Sequence, residues 1–122
     1  MSNRSELAIV PEQPEPECEL FGLLEMLSGP WTMHILCLLA MNGPLRFAVL
    51  QRHIEGISTR VLTVRLRALE RRGLITRSIR DTVPPEVIYA PTPRLEEMRQ
   101  VIKGLHILAS KWAEEDRAMD AA

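Results

Sequence analysis

Cysteine is nearly missing from this 122-residue chain, with only Cys18 and Cys37, too few for a disulfide scaffold. Histidine is as scarce: His34, His53 and His106 lie far apart in the sequence, with no cysteine or carboxylate cluster beside them. No metal or cofactor is therefore expected. No apolar run approaches the ~20 residues of a bilayer helix; the longest, ILCLLAM at 35–41, stops well short. The opening residues, MSNRSELAIVPEQPEPE, carry one arginine, several glutamates and no long apolar stretch, so they lack the anatomy of a secretory signal. A cytoplasmic protein without membrane attachment is expected. No nucleophile with its base, glycine-rich phosphate loop or pair of acids is apparent, which argues against an enzyme. Lysine is also rare, and nearly all of the 15 cations are arginine.

What is present is unevenly distributed. The net charge of −1 conceals one Arg against six Glu in residues 1–30, no charge in 31–45, nine Arg against two Glu in 46–80, and an acidic remainder. A basic block inside an otherwise acidic chain is the electrostatic footprint of a polyanion-binding element. Arginine in particular suits bidentate contacts to phosphate and guanine.

The length allows one ordinary domain. PEQPEPE at 11–17 makes residues 1–17 a solvated, disordered acidic tail, and the domain is expected over 18–117 with a flexible end at 118–122. CELFGLLEML (18–27) has helical spacing, and Pro30 suits the first turn of a following helix. WTMHILCLLAM is apolar on most sides, as in a buried central helix. GPLRFAVLQRHI reads as a short helix with Phe47, Leu50 and Ile54 on one face. After a tight turn, Ser58 is an N-cap, Ile57 and Leu62 occupy the staple positions, and Gly73 stops the next helix. A short helix, a tight turn and a basic helix make a helix-turn-helix. LITRSIR, the turn DTVPPE and VIYA then form a hairpin wing. Thr92 and Pro93 open a last long helix carrying Leu95, Met98, Ile102, Leu105, Leu108 and Trp112 every three to four residues. The fold class is mainly α with a small β-hairpin wing, a winged helix-turn-helix. The terminal apolar stripe is longer than so small a core can cover, which points to a partner subunit.

At roughly 100° per residue, Leu62, Leu66 and Leu69 form the core face of helix 58–72. Arg60, Thr63, Arg67 and Arg71 face the other way, flanked by Thr59 and Val64. An α-helix fits the major groove, where Arg reads guanine and Thr meets the thymine methyl. The N-terminal part of a recognition helix usually meets the bases, so Ser58, Thr59, Arg60, Thr63, Val64, Arg67 and Arg71 are assigned to the recognition surface on double-stranded DNA. Arg46, Arg65, Arg72, Arg77 and Arg80 are assigned to phosphates or to the wing.

GPLRF (43–47), GIS (56–58), VLTVRLRALERRGLITR and VPPEVIYAPTP (83–93) together resemble the HxlR-type winged helix-turn-helix transcriptional regulators, relatives of the MarR group. SGPW (28–31) is similar to that family's G-K-W, and Cys18 falls where many members have an N-terminal cysteine. The resemblance implies a homodimer joined through its terminal helices, here at Leu20, Leu23, Leu24, Met98, Ile102, Leu105, Leu108 and Trp112. It also implies a pseudo-palindromic operator, and for several members electrophile or oxidant sensing through the cysteine. The sequence departs from the family at Pro30, at Val64, where a polar residue is usual, and at PTPRL in place of Leu-Thr-Pro-Leu-Gly.

Cys18 is thus a candidate redox sensor. Its neighbours Glu17 and Glu19 favour the alternative of an unreactive thiol, and an electrophile or small-molecule effector stays open. Cys37 reads as core. Besides a DNA-binding regulator, a winged helix serving as a protein-interaction module accounts for the same elements.

Overall fold

The structure, a computed structural model, describes residues 18–121. The acidic tail expected at 1–17 lies outside the described residues. The described residues fall into two compact units that divide between Met33 and His34.

In the first unit, helix α1 (Glu19–Leu27) leaves Leu20, Leu23 and Leu24 exposed. The turn that follows corrects one expectation. Pro30 lies before the next helix rather than in its first turn, and Trp31 takes φ 70 before α2 begins (Thr32–Asn42). Helix α2 ends at Gly43, which adopts φ 81, a left-handed conformation that glycine enters at low cost.

The second unit is the winged helix. Leu45–Arg46 form a two-residue strand, β1, followed at once by helix α3 (Phe47–His53). The sequence reading began this helix at 43; two residues of strand carry too little pattern to register as one. Helix α4 (Thr59–Arg71) follows the turn, then strands β2 (Ile75–Arg80) and β3 (Glu86–Pro91). The sheet is antiparallel in the order β1-β3-β2, with Leu45 opposite Tyr89, Arg77 opposite Tyr89 on the other side, and Arg80 opposite Glu86. Helix α3 packs beside β1 and β3, and α4 beside β2. The core draws Ile35, Leu36 and Leu39 from α2, Leu50 from α3, Leu62, Leu66 and Leu69 from α4, and Ile75 and Tyr89 from the sheet. Each buried leucine contributes roughly 1.5–3 kcal/mol of hydrophobic stabilisation.

The C-terminal region corrects one more expectation. The long helix is broken: a short α5 (Pro93–Glu96), capped by Thr92 as expected, is followed by α6 (Arg99–Ala121). The break is a tightened turn in which Met98 N–H donates to the Leu95 carbonyl, three residues back instead of four. Helix α6 then runs on through 118–121, the segment expected to be flexible. Among the described residues no single helix is long and apolar enough to cross a membrane.

Candidate nucleic-acid interface

Helix α4 is built to be held rigidly on one side and open on the other. Leu62, Leu66 and Leu69 are buried, as their spacing required. Ser58 caps the N-terminus, its Oγ accepting from Val61 N–H at 3.1 Å, and Ile57 and Leu62, the staple pair, are both buried. The first turn contains no acid, so the positive end of the helix dipole is left for an anion or a base-edge acceptor.

The C-terminus is closed as firmly. Gly73 takes φ 77; its N–H donates to the Glu70 carbonyl and Leu74 N–H to that of Leu69. This is the paired bonding of a Schellman motif. Three further bonds arrive from Thr92 and Arg94, at the start of α5. Thr92 N–H donates to the Leu74 carbonyl at 3.1 Å, Thr92 Oγ1 to that of Gly73 at 2.6 Å, and an Arg94 guanidinium nitrogen to that of Arg72 at 3.1 Å. Arg94, one of the departures from the family pattern, thus satisfies a helix-end carbonyl. Its partner is 22 residues away, and no spacing rule in the sequence points to it.

On the open side, Thr59, Arg60, Val64, Arg67 and Arg71 are exposed and Thr63 is half-buried. Val64 is 50% exposed, so an apolar side chain does stand on this face. Thr63 Oγ1 donates back to the Thr59 carbonyl at 2.8 Å; with its hydrogen used inside the helix, its methyl and the lone pairs of its oxygen are what it can offer a base. Ser58 is committed to capping. Arg65 is half-buried, and its Nε is shielded from solvent without a hydrogen-bond partner among the described residues. It reaches the flank of the face rather than its centre.

The remaining arginines are divided by the sheet. Arg77 and Arg80 are an odd number of residues apart on β2, so they project from opposite faces of the wing. Arg77 is on the side of buried Ile75 and Tyr89, against which the helices pack, whereas Arg80 shares the other side with Glu86. Arg46 precedes α3 in β1 instead of starting that helix, and it pairs with Glu86 at 2.6 Å. A half-exposed pair of this kind contributes about 0–1 kcal/mol, and a phosphate can compete for the arginine. Arg46, Arg52 and Glu86 also line a shallow cavity of about 460 Å³ floored by Phe47, Val49 and Val87. The sequence reading missed Glu86, 40 residues from its partner, and Gln51, whose Nε2 donates to Thr59 Oγ1 at 2.9 Å.

The apolar surface of α6 is regrouped. Ile102 is 4% exposed and belongs to the core of its own protomer, and Met98 is half-buried. A stripe advancing by three and four can pass through 101 or 102, and the core claims 102. Val101, Leu105, Trp112 and Met119 are exposed, with half-buried Leu108 among them. At 100° per residue these five fall on one narrow line. Both cysteines are free thiols and half-buried; burial pushes the Cys37 thiol up, which disfavours its reactive thiolate.

Comparison with known proteins follows the same outline. A family model for the HxlR-like helix-turn-helix matches residues 26–117. The chain is 34% identical over 99 residues to the HTH-type transcriptional regulator sll1512 of Synechocystis, covering 81% of this chain and 73% of that one. A crystal structure from Porphyromonas gingivalis W83, assigned to the MarR family of transcriptional regulators, superposes with a TM-score of 0.72 at 29% identity, covering 81% of this chain and 96% of that one. The reduced form of the Bacillus subtilis transcriptional regulator YodB superposes with a TM-score of 0.66 at 27% identity, covering 84% of this chain and 98% of that one. YodB is also known in diamide-treated and quinone-bound forms.

Proposed function

The chain belongs to the HxlR-like helix-turn-helix family of transcriptional regulators, and on that premise we propose that it binds a pseudo-palindromic DNA operator as a homodimer, one α4 helix per half-site. The observation that carries this reading is the exposed face of α4. Arg60, Arg67 and Arg71 stand there with Thr59, Thr63 and Val64, on a helix fixed at both ends by capping and buried leucines. Arg60, Thr59 and Thr63, nearest the N-terminus, read bases. Arg71 and Arg72, near the C-terminus, contact phosphates, with Arg77 on the same side of the wing. Arg46 joins them if a phosphate displaces Glu86. Dimerisation uses the apolar line on α6, with Leu20, Leu23 and Leu24 of α1 as a second exposed apolar surface.

Selection of bound duplexes from random DNA tests this reading: a two-fold symmetric consensus supports it. A winged helix that served only to bind another protein would return no consensus.

The regulatory arm of the proposal rests on the likeness to YodB and on Cys18. Burial pushes the Cys37 thiol up and disfavours its thiolate, so the proposal is placed on Cys18. Diamide or quinone is expected to release DNA from the native protein and not from Cys18→Ser. Release that persists in Cys18→Ser removes Cys18 from the mechanism.

A further inference from the structure

Gln51 is on α3, outside the face that meets DNA in the reading above, and is half-buried. Its amide reaches across the turn to the first residue of α4, where Nε2 donates to Thr59 Oγ1 at 2.9 Å. This bond has two consequences. It braces α3 against the N-terminal end of α4, and it biases the Thr59 hydroxyl toward donating its hydrogen.

A threonine hydroxyl has one hydrogen to donate and two lone pairs to accept with. Gln51 occupies a lone pair. Among the described residues the Thr59 hydroxyl makes no other hydrogen bond, so its own hydrogen is available. Thr59 is exposed, at the end of α4 that meets the bases. Bonds running in one sense polarise one another, so the favoured chain is Gln51 N–H to Thr59 O–H to an acceptor on DNA. Thr63 differs: its hydrogen is already given to the Thr59 carbonyl.

We propose that Gln51 is a positioning residue that presents Thr59 as a hydrogen-bond donor and so sets one position of each half-site. Guanine, adenine and thymine each offer an acceptor on the major-groove edge, whereas cytosine offers the N4 donor. Guanine, adenine or thymine is therefore favoured over cytosine opposite Thr59. This inference rests on the DNA-binding reading above.

The test uses the full chain and operator duplexes obtained by selection from random DNA, titrated with each of the four bases in turn at every half-site position. The native protein is expected to disfavour cytosine at one position by about three- to tenfold, the range of one net hydrogen bond. Gln51→Met and Thr59→Val are each expected to flatten the preference at that same position. The double variant adds no further loss, and Thr59→Ser retains the preference. Gln51→Glu replaces the donor by an acceptor that takes the Thr59 hydrogen. It is expected to shift that position toward cytosine even as the added charge lowers affinity for every duplex, which keeps the test open should Gln51→Met fold poorly. An unchanged base profile in Gln51→Met, a loss equal for all sequences, or additive single effects would overturn the proposal while leaving the DNA-binding reading intact. A native protein with no sequence preference would overturn both.

Discussion

Arginine performs different tasks within a few residues of this chain, and what surrounds each one decides which. Arg60 and Arg67 are exposed on the free face of α4, and the first turn, which holds Arg60, carries no acid. Arg46 is engaged by Glu86, Arg94 is spent on the carbonyl of Arg72, and the Nε of Arg65 is shielded. Arg60→Ala and Arg67→Ala are therefore expected to cost about 1–3 kcal/mol of specific binding where the arginine reads a guanine. Affinity measured on the operator and on single-base variants of it checks this: a base reader loses discrimination at one position. A phosphate contact instead weakens all sequences alike and lowers the salt dependence by about one ion. Val64, half-exposed on the same face, offers an apolar contact of the kind that suits a thymine methyl.

At the scale of elements, the stability of α4 lies at its ends as well as on its buried side. Ser58→Ala removes the N-cap and is expected to lower the stability of the unit by about 1 kcal/mol. Thr92→Val removes both the cap of α5 and the bond to the Gly73 carbonyl, with an expected loss of about 1–2 kcal/mol. Urea unfolding measures both, and a wild-type midpoint for either variant would show that the cap is not what holds the helix. These elements also show what a sequence discloses. The buried leucines, the Ser58 cap, Gly73 and the two wing strands were legible because each obeys a local rule of spacing or turn chemistry. Strand β1 was not, because two residues carry no alternation and its pairing with β3 is supplied by residues 88 and 89, far along the chain. The Gln51–Thr59, Arg46–Glu86 and Arg94–Arg72 bonds escaped for the same reason: tertiary proximity makes them. The break before α6 depends on one carbonyl accepting from three residues ahead, which helical periodicity does not reveal.

For the molecule as a whole, Ile102 is buried while Val101, Leu105 and Trp112 on the same helix are exposed, and it is this exposed line that the proposed dimer would use. Ile102→Ala opens a cavity in a packed site and is expected to cost about 2–5 kcal/mol of protomer stability. Leu105→Glu and Trp112→Glu change residues that are more than half exposed in the single chain. They are expected to leave the protomer folded and to shift the population to monomer in analytical ultracentrifugation. Dimers that survive both changes would place the interface elsewhere. Loss of the dimer would also weaken operator binding, since each half-site would then be held independently.

The central claim is that the arginine face of α4 reads sequence in DNA. It is tested most directly by titrating the native protein against a selected operator and a scrambled duplex of the same length and composition, between 50 and 200 mM salt. The operator is expected to bind roughly 10³-fold or more tightly than the scrambled duplex, both affinities falling steeply with salt as counterions are released. Arg67→Ala is expected to narrow that gap. Equal affinity for the two duplexes across the whole salt range would contradict the claim.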